Sequence, residues 1–454
     1  MINSGKIEEG KELIKSLLPK VEDEYRKSKL LIELAYAKFD LNHFDEAAEM
    51  CNEVLNRQKV NVEDRGRCHN LLGMYYHYKE NDSRSAILHF EKALGFYVKE
   101  RLLSKVAAIE VNIGIMNNII GNKDLAEASW NKALNINRSI GNLAQEGTQL
   151  INSGVYYFQN INFAKAIDYY KRAHNIFLSL GGKVNEGIAL GNLGEVYFTI
   201  CEYQNAFEAL EEAKILFEEL DNIEELIPVL ILLCHFYFTI GDYKQIEPIY
   251  KSIISFVNNS QLNIKYENEL LLIKNLMLIA EGKEIEISVL ETIRDNYLEK
   301  EDFKNYVTVN TILLNYLIKL ELFSKAIEEL NKNSFIEVSK QNNIFEANRE
   351  YLFGIVSSVH VTDDTLSPVE HFEKAYALLA EESIVELTWK TLFALAETYK
   401  ERGNFNKAKN FIIYARDLIY LIAENIETTH FKTAYLQKEE RRTAIEMLEK
   451  LQDV

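Results

Sequence analysis

The chain has 454 residues, of which 47% are hydrophobic and 26% are charged, the composition of a folded globular protein. Its net charge of −18 repels phosphate backbones, and no basic patch stands out, so we expect no direct nucleic-acid partner. Four scattered cysteines do not form a disulfide framework, and no run approaches the ~18–20 apolar residues that span a bilayer. These properties predict a cytoplasmic protein that does not bind a membrane.

A small-residue repeat runs through the chain. Four glycines recur at spacings of 41, 40 and 40 residues: Gly73, Gly114, Gly154 and Gly194. Two columns of alanine follow each glycine: Ala86, Ala126, Ala166 and Ala206, then Ala93, Ala133, Ala173 and Ala213. The same register extends in both directions. It predicts about ten units, two of them degenerate.

Each unit is predicted to be two antiparallel helices joined by a short polar turn, such as 160–162 or 240–242. A glycine inside a helix costs ~1 kcal/mol relative to alanine, so its recurrence needs a packing reason. We expect the glycine to let the second helix approach at backbone distance. Tyrosines three residues after the small position are expected to fill the gap: Tyr76, Tyr157, Tyr197, Tyr237 and Tyr399. The fold class is therefore all-α, a right-handed α-α superhelical solenoid.

The pattern N-L-G-x-x-Y, a turn, then A-x-x-x-Y-x-x-A-L resembles the tetratricopeptide repeat. The resemblance covers nearly the whole chain and is strongest over residues 60–250. The family unit has about 34 residues, so these helices are longer. This form is similar to the repeats of bacterial signalling regulators and of cargo or polarity adaptors. The resemblance implies a protein- or peptide-binding scaffold.

The domain organisation follows from the quality of the repeat. We predict an amino-terminal array over 1–257, a degenerate unit and flexible seam over 258–300, and a second array over 301–423. After Ala415 the pattern predicts one long helix, whose end, 424–454, caps the last unit. Residues 1–20 look like the second helix of an incomplete unit, which is either a simple cap or a remnant of a longer parent.

A column of asparagines is the strongest candidate for binding. Asn112, Asn152 and Asn192 each stand two residues before the glycine column. In tetratricopeptide repeats this part of the first helix faces the concave groove. An amide both donates and accepts, so it can bond the backbone of an extended peptide. The alternative is that these amides join helices within the solenoid.

Four variable residues lie one helical turn further on and are expected to share the groove face: Ile115, Val155, Glu195 and His235. Their variation beside a constant amide is what specificity pockets would show. We therefore predict a partner-binding surface composed of the asparagine column and these four positions.

No catalytic signature occurs in the sequence. H-E-x-x-H, zinc-spaced cysteines, a Walker-type loop and a G-x-S-x-G elbow are all missing. The best metal-like cluster is His360, Asp363, Asp364 and His371, around a surface insertion at 357–368, and a solvated loop explains it. We expect no catalytic residue, no metal and no cofactor.

The sequence thus favours a non-catalytic sensor or adaptor of a bacterial regulatory system that binds a protein or an extended peptide. Two alternatives remain open. The chain is the repeat region of a larger signalling enzyme (a kinase, cyclase or protease), or it is a receptor for a signalling peptide. The sequence leaves the oligomeric state open.

Overall fold

The computed structural model describes residues 4–258, 265–360, 366–380 and 385–452. This part of the chain contains helices and no β-strand. The first twelve are α1 (Ser4–Leu17), α2 (Glu24–Asp40), α3 (Phe44–Leu55), α4 (Val62–Tyr78), α5 (Ser83–Lys99), α6 (Leu103–Ile119), α7 (Lys123–Ser139), α8 (Leu143–Gln159), α9 (Phe163–Leu180), α10 (Lys183–Thr199), α11 (Tyr203–Glu219) and α12 (Ile223–Ile240). The other twelve are α13 (Ile246–Asn258), α14 (Glu267–Ala280), α15 (Ile287–Glu299), α16 (Phe303–Lys319), α17 (Phe323–Leu330), α18 (Asn333–Ser339), α19 (Asn343–Val359), α20 (Pro368–Leu379), α21 (Glu386–Glu401), α22 (Phe405–Glu424), α23 (Thr429–Gln437) and α24 (Glu439–Gln452). The predicted all-α solenoid is confirmed.

The 40-residue period consists of two helices and two turns. Helices α6, α7 and α8 have 17 residues each, and three-residue turns separate them. Each turn places one residue in the left-handed backbone region, at a 20-residue spacing: Arg101, Gly121, Gly141, Ile161, Gly181, Cys201, Asp221 and Gly241. Glycine adopts this conformation without steric cost, whereas a β-branched residue such as Ile161 does not. The predicted turns at 160–162 and 240–242 are confirmed.

Each recurring glycine is covered mainly by a large side chain of the second helix, in most cases an aromatic ring, and less by the backbone of that helix. A Cβ atom on Gly73 would lie 2.5 Å from the ring of Phe90, and one on Gly154 would lie 2.5 Å from that of Tyr170. The equivalent neighbours of Gly114, Gly194 and Gly354 are Trp130, Leu210 and Phe372. The expected approach at backbone distance was therefore wrong in its main detail, because a large side chain of the second helix covers the glycine. The eight column alanines are completely buried, as predicted.

The chain divides into two compact units, residues 1–153 and 154–454. In the first unit, consecutive helices such as α4, α5 and α6 pack against one another in chain order. In the second unit, α14 and α15 have only 14 and 13 residues, and they fall in the region predicted to be degenerate. Residues 259–264, part of the predicted seam, lie outside the described residues. The predicted boundaries at 257/258, 300/301 and 423/424 stay predictions.

Helix α12 is unusually apolar. Within the described residues it alone is long and apolar enough to cross a membrane, with a mean hydropathy of 1.8. Of this helix, 56% is buried inside the protein, as expected for a core helix. Length and composition alone would therefore allow α12 to be a membrane-spanning helix, whereas its burial favours a place in the protein core.

The end of the chain differs from the predicted single long helix. Helix α22 ends at Glu424, and two shorter helices, α23 and α24, follow it. They contact both α22 and α12, helices far apart in the sequence. The single-helix prediction was wrong because a periodic apolar pattern does not reveal where a helix turns back on its own chain.

Candidate partner-binding surface

The predicted asparagines occupy the same place in three first helices. Asn112 lies on α6 and Asn152 on α8, both in the first compact unit, whereas Asn192 lies on α10 in the second. Asn112 and Asn192 are half-buried, and Asn152 is exposed. Each amide is therefore accessible from outside its helix.

Asn112 is bonded within the protein. Its Nδ2 donates to Oδ1 of Asn70 on α4, at 3.3 Å. The amide of Asn70 in turn donates to the Tyr36 hydroxyl on α2, at 3.2 Å, and that hydroxyl donates to the carbonyl of Arg67. These bonds connect three successive first helices of the first unit. The structural alternative considered from the sequence thus applies to Asn112.

Asn152 and Asn192 behave differently, because neither side chain makes a hydrogen bond to another residue in the part of the chain that the structure describes. Of the neighbours predicted to form pockets, Ile115 is 38% exposed and Val155 is half-buried. The two amides therefore keep donors and acceptors for something other than the solenoid.

In the second unit, the two remaining predicted residues face a helix far along the chain. Glu195 on α10 forms an ion pair with Lys304 on α16, 109 residues away. The Lys304 ammonium also lies 5.2 Å from the centre of the Phe158 ring. The inner side of α10 is thus opposite the start of α16.

His235, on α12, shares this environment. Burial lowers the pKa of its imidazole to about 4, and the positive charge of Lys304 contributes further. The imidazole is therefore neutral at pH 7, with one nitrogen that donates and one that accepts. Glu195, His235 and Lys304 together provide an acceptor, a neutral ring and a cation on one inner surface.

Sequence reasoning missed Lys304 and the residues of α23 and α24 that contact α12. Local periodicity carries no signal for either, because their partners are 109 to 202 residues away. Only the curvature of the solenoid brings them together.

The metal-like cluster is only partly described. Asp363 and Asp364 lie outside the described residues. His360 stacks on Phe323, with ring centres 5.5 Å apart, whereas Nδ1 of His371 is 2.7 Å from a carboxylate oxygen of Glu350. The two histidines thus have different neighbours. Among the described residues, no three His, Cys, Asp or Glu side chains are grouped to hold a metal ion.

Comparison with known proteins gives a family match over part of the chain. A family model described as tetratricopeptide repeat matches residues 145–219, the region of α8 to α11. No curated protein matches the chain.

Three solved structures share the fold. The apo form of RapI has a TM-score of 0.59 at 14% identity, covering 73% of this chain and 91% of its own. A Rap protein complexed with competence and sporulation factor has a TM-score of 0.52 at 15% identity, covering 75% and 100%. A signal transduction ATPase with numerous domains from Pyrococcus horikoshii, which carries a tetratricopeptide repeat sensor, has a TM-score of 0.51 at 21% identity. That match covers 68% of this chain and 45% of the ATPase.

The 40-residue helix pairs, the buried alanine columns and the matched segment agree with one another. The chain therefore contains a tetratricopeptide-repeat segment at residues 145–219.

Proposed function

We propose that the chain is a non-catalytic, cytoplasmic module that holds a protein segment or an extended peptide on the inner surface of its repeats. Within this proposal it is the sensor or adaptor part of a bacterial regulatory system. Its repeats and its fold, which it shares with a tetratricopeptide repeat sensor, support an interaction or sensor role. The observation that carries the peptide-binding proposal is made in each unit separately: neither the amide of Asn152 in the first unit nor that of Asn192 in the second has a hydrogen bond to another described residue.

The chemistry of an amide fits an extended backbone. One carboxamide can accept from a peptide N–H and donate to a peptide C=O at the same time, without regard to the side chains of the ligand. Selectivity would come from the neighbours: Ile115 and Val155 offer apolar contact, and Glu195 with Lys304 offers charge. A Rap protein of the same fold was crystallised with competence and sporulation factor, which supports a peptide ligand here as well.

The test begins with a displayed library of short peptides, selected on the full chain. The affinity of one selected synthetic peptide is then measured for the wild type and for each of the single variants Asn152→Ala and Asn192→Ala. Loss of about two hydrogen bonds to the amide that holds the peptide predicts an approximately fivefold or greater loss of affinity in at least one variant, at ~0.5–1.5 kcal/mol for each bond.

Two single variants serve as controls. Asn175→Ala removes an exposed asparagine from α9, the second helix of its unit, and should leave the affinity unchanged. Asn112→Ala removes an amide already bonded to Asn70, and should lower stability more than affinity. Equal affinity of both asparagine variants, Asn152→Ala and Asn192→Ala, and the wild type, with unchanged circular dichroism spectra, would exclude the proposed role of the amides.

A second function class is favoured by one comparison. The match to the Pyrococcus horikoshii ATPase covers 45% of that protein, where a tetratricopeptide repeat array is a sensor joined to other domains. The same architecture would make this chain the repeat region of a larger signalling enzyme. Mass spectrometry of the endogenous protein decides this: peptides outside these 454 residues would favour the enzyme.

A further inference from the structure

Helices α23 and α24 fold back onto α11 and α12, which also belong to the second compact unit. The backbone N–H and the hydroxyl of Thr428 both donate to Oε1 of Gln204 on α11, at 3.2 and 3.1 Å. His430 pairs with Asp242, beyond the end of α12, at 2.8 Å. Residues 428–441 are called the clasp below, and the residues of α11, α12 and α21 that it contacts are called the clasp surface.

A half-buried carboxylate is the centre of this contact. Oε1 of Glu386, the first residue of α21, accepts from the hydroxyls of Tyr203 and Tyr435 at 2.7 and 2.9 Å. It also accepts from Nη2 of Arg441, at 3.1 Å. One oxygen therefore joins α11, α21, α23 and α24.

Arg441 completes the connection to α12. Its two terminal nitrogens donate to the carbonyl oxygen of Thr239, both at 3.1 Å, and its guanidinium lies 3.7 Å from the centre of the Tyr435 ring. The side chain is only 2% exposed. Lys438 similarly donates to the carbonyl oxygen of Phe238, at 3.3 Å. Two cations thus bond the last carbonyls of α12, where the helix dipole favours positive charge.

Two buried aromatic residues supply apolar contact. The ring of Phe431 lies 4.8 Å from that of Phe207 and 5.4 Å from that of Phe236, between centres and in edge-to-face geometry. The ring of Tyr435 lies 5.5 Å from that of Tyr203. Such pairs contribute beyond their buried area. The clasp therefore has two aromatic anchors and several charged contacts.

This composition differs from the packing between successive repeats. Repeats pack mainly through fully buried alanines and large rings, although they also bury some charges, such as the ion pair of Arg294 with Glu329. The contact of the clasp depends more on charge, because Arg441 is buried against the half-buried Glu386, and the attraction within such a pair roughly offsets its desolvation cost. Contacts of this polar kind open more readily than a hydrophobic core of the same extent.

We propose that residues 428–441 are a reversible clasp that closes the second compact unit and opens without unfolding the repeats. When docked, the clasp ties α11 and α12 to α21 and α22. When released, it frees the clasp surface and lets these two sets of repeats move apart. This opening does not depend on the proposed peptide binding, so either proposal can fail without the other.

Hydrogen exchange followed by mass spectrometry on the full chain tests the opening. Amides of α23 and α24 should exchange together, earlier than those of α12 and α22. Arg441→Ala should accelerate the exchange of α23 and α24 by about tenfold or more, because the half-buried Glu386 loses its cation. The matched control is Arg442→Ala, which removes the neighbouring exposed arginine and its pair with Glu446, and it should change nothing.

A second measurement detects the freed surface. A fluorescent peptide with the sequence of residues 426–452 is titrated into the full chain, and its anisotropy is followed. The double variant Phe431→Ala and Arg441→Ala should bind it at least about tenfold more tightly than the wild type, because the weakened clasp no longer competes in cis. Adding Glu386→Ala should abolish the gain.

Two outcomes would overturn the proposal. In the first, α23 and α24 exchange only in the same step as α12 and α22, which would make them part of the permanent core. In the second, the peptide binds no better to the double variant, even though that variant keeps the helical content of the wild type.

Discussion

Helices α4–α7 of the first compact unit and helices α21–α24 of the second unit are stabilised by different kinds of contact. In the first region each helix packs on the next one in the chain, through alanines and rings that recur every 40 residues. In the second region, contacts also join residues 188 to 224 positions apart, and charged groups make several of them. Repetition thus produces local, apolar packing, whereas closure of the second unit depends on individual polar residues that do not recur.

Glu386→Ala is the strongest test of the closed region. The change leaves the buried Arg441 without its carboxylate and two tyrosine hydroxyls without their acceptor, so we expect a loss of about 3 kcal/mol. Urea denaturation followed by circular dichroism measures it. Glu424→Ala, at the exposed end of α22, is the control and should have no effect. A loss below about 0.5 kcal/mol would mean that the polar cluster contributes little to closure.

Gly73→Ala is the corresponding test of the repetitive region. The new methyl would lie 2.5 Å from the Phe90 ring, so overpacking should destabilise the first unit by about 2 kcal/mol. Gly95→Ala, on α5 and with nothing within 4 Å of its Cβ, should instead stabilise by about 0.5–1 kcal/mol through helix propensity. Denaturation monitored by the fluorescence of Trp130, in a Trp389→Phe background, compares the two. The same sign for both variants would contradict the packing role of the glycine column.

The pH dependence of stability tests whether the imidazole of His235 is buried beside Lys304. Burial depresses its pKa to about 4, so the unfolded chain binds the proton more strongly between pH 6.5 and 4. Stability from this residue is present above pH 6.5 and is lost as the pH falls through that range. We expect His235→Gln to reduce the loss of stability between pH 7 and pH 5 by about 1 kcal/mol, allowing for partial exposure. Parallel pH profiles of the variant and the wild type would contradict the burial of the imidazole.

Ile161→Gly addresses the smallest effect, the strain in a regular turn. Ile161 has φ 61°, and glycine adopts this conformation freely, so the variant should gain about 0.5–1 kcal/mol. Ile200→Gly is the control. Ile200 lies in the turn that follows α10 and has φ −95°, so its replacement by glycine should lower stability. Thermal denaturation of both variants provides the measurement. A loss for Ile161→Gly would show that the isoleucine side chain contributes more packing than strain.

The periodicity of small residues was sufficient to predict the helix pairs, because each repeat buries its alanines against its immediate neighbours. It also located the turns, since 17-residue helices and three-residue turns add up to the observed spacing. It did not predict the role of the glycines, because the residue that covers each glycine comes from the second helix and varies between phenylalanine, tryptophan, tyrosine and leucine.

For the candidate site, the sequence predicted Asn152, Asn192, Glu195 and His235, but it gave no signal for Lys304. It also did not distinguish Asn112 from the other two asparagines. That distinction depends on Asn70, whose amide is close enough to bond only after α4 and α6 have packed.

The sequence by itself determined the all-α class, the repeat length and the positions of the buried alanines, because these properties depend on contacts between adjacent helices. Only the tertiary structure decided that the chain turns at Glu424, that one oxygen of Glu386 receives three donors and that Lys304 faces Glu195. Such contacts depend on the accumulated curvature of many repeats, and a small change at each step moves residues 200 positions apart into or out of reach.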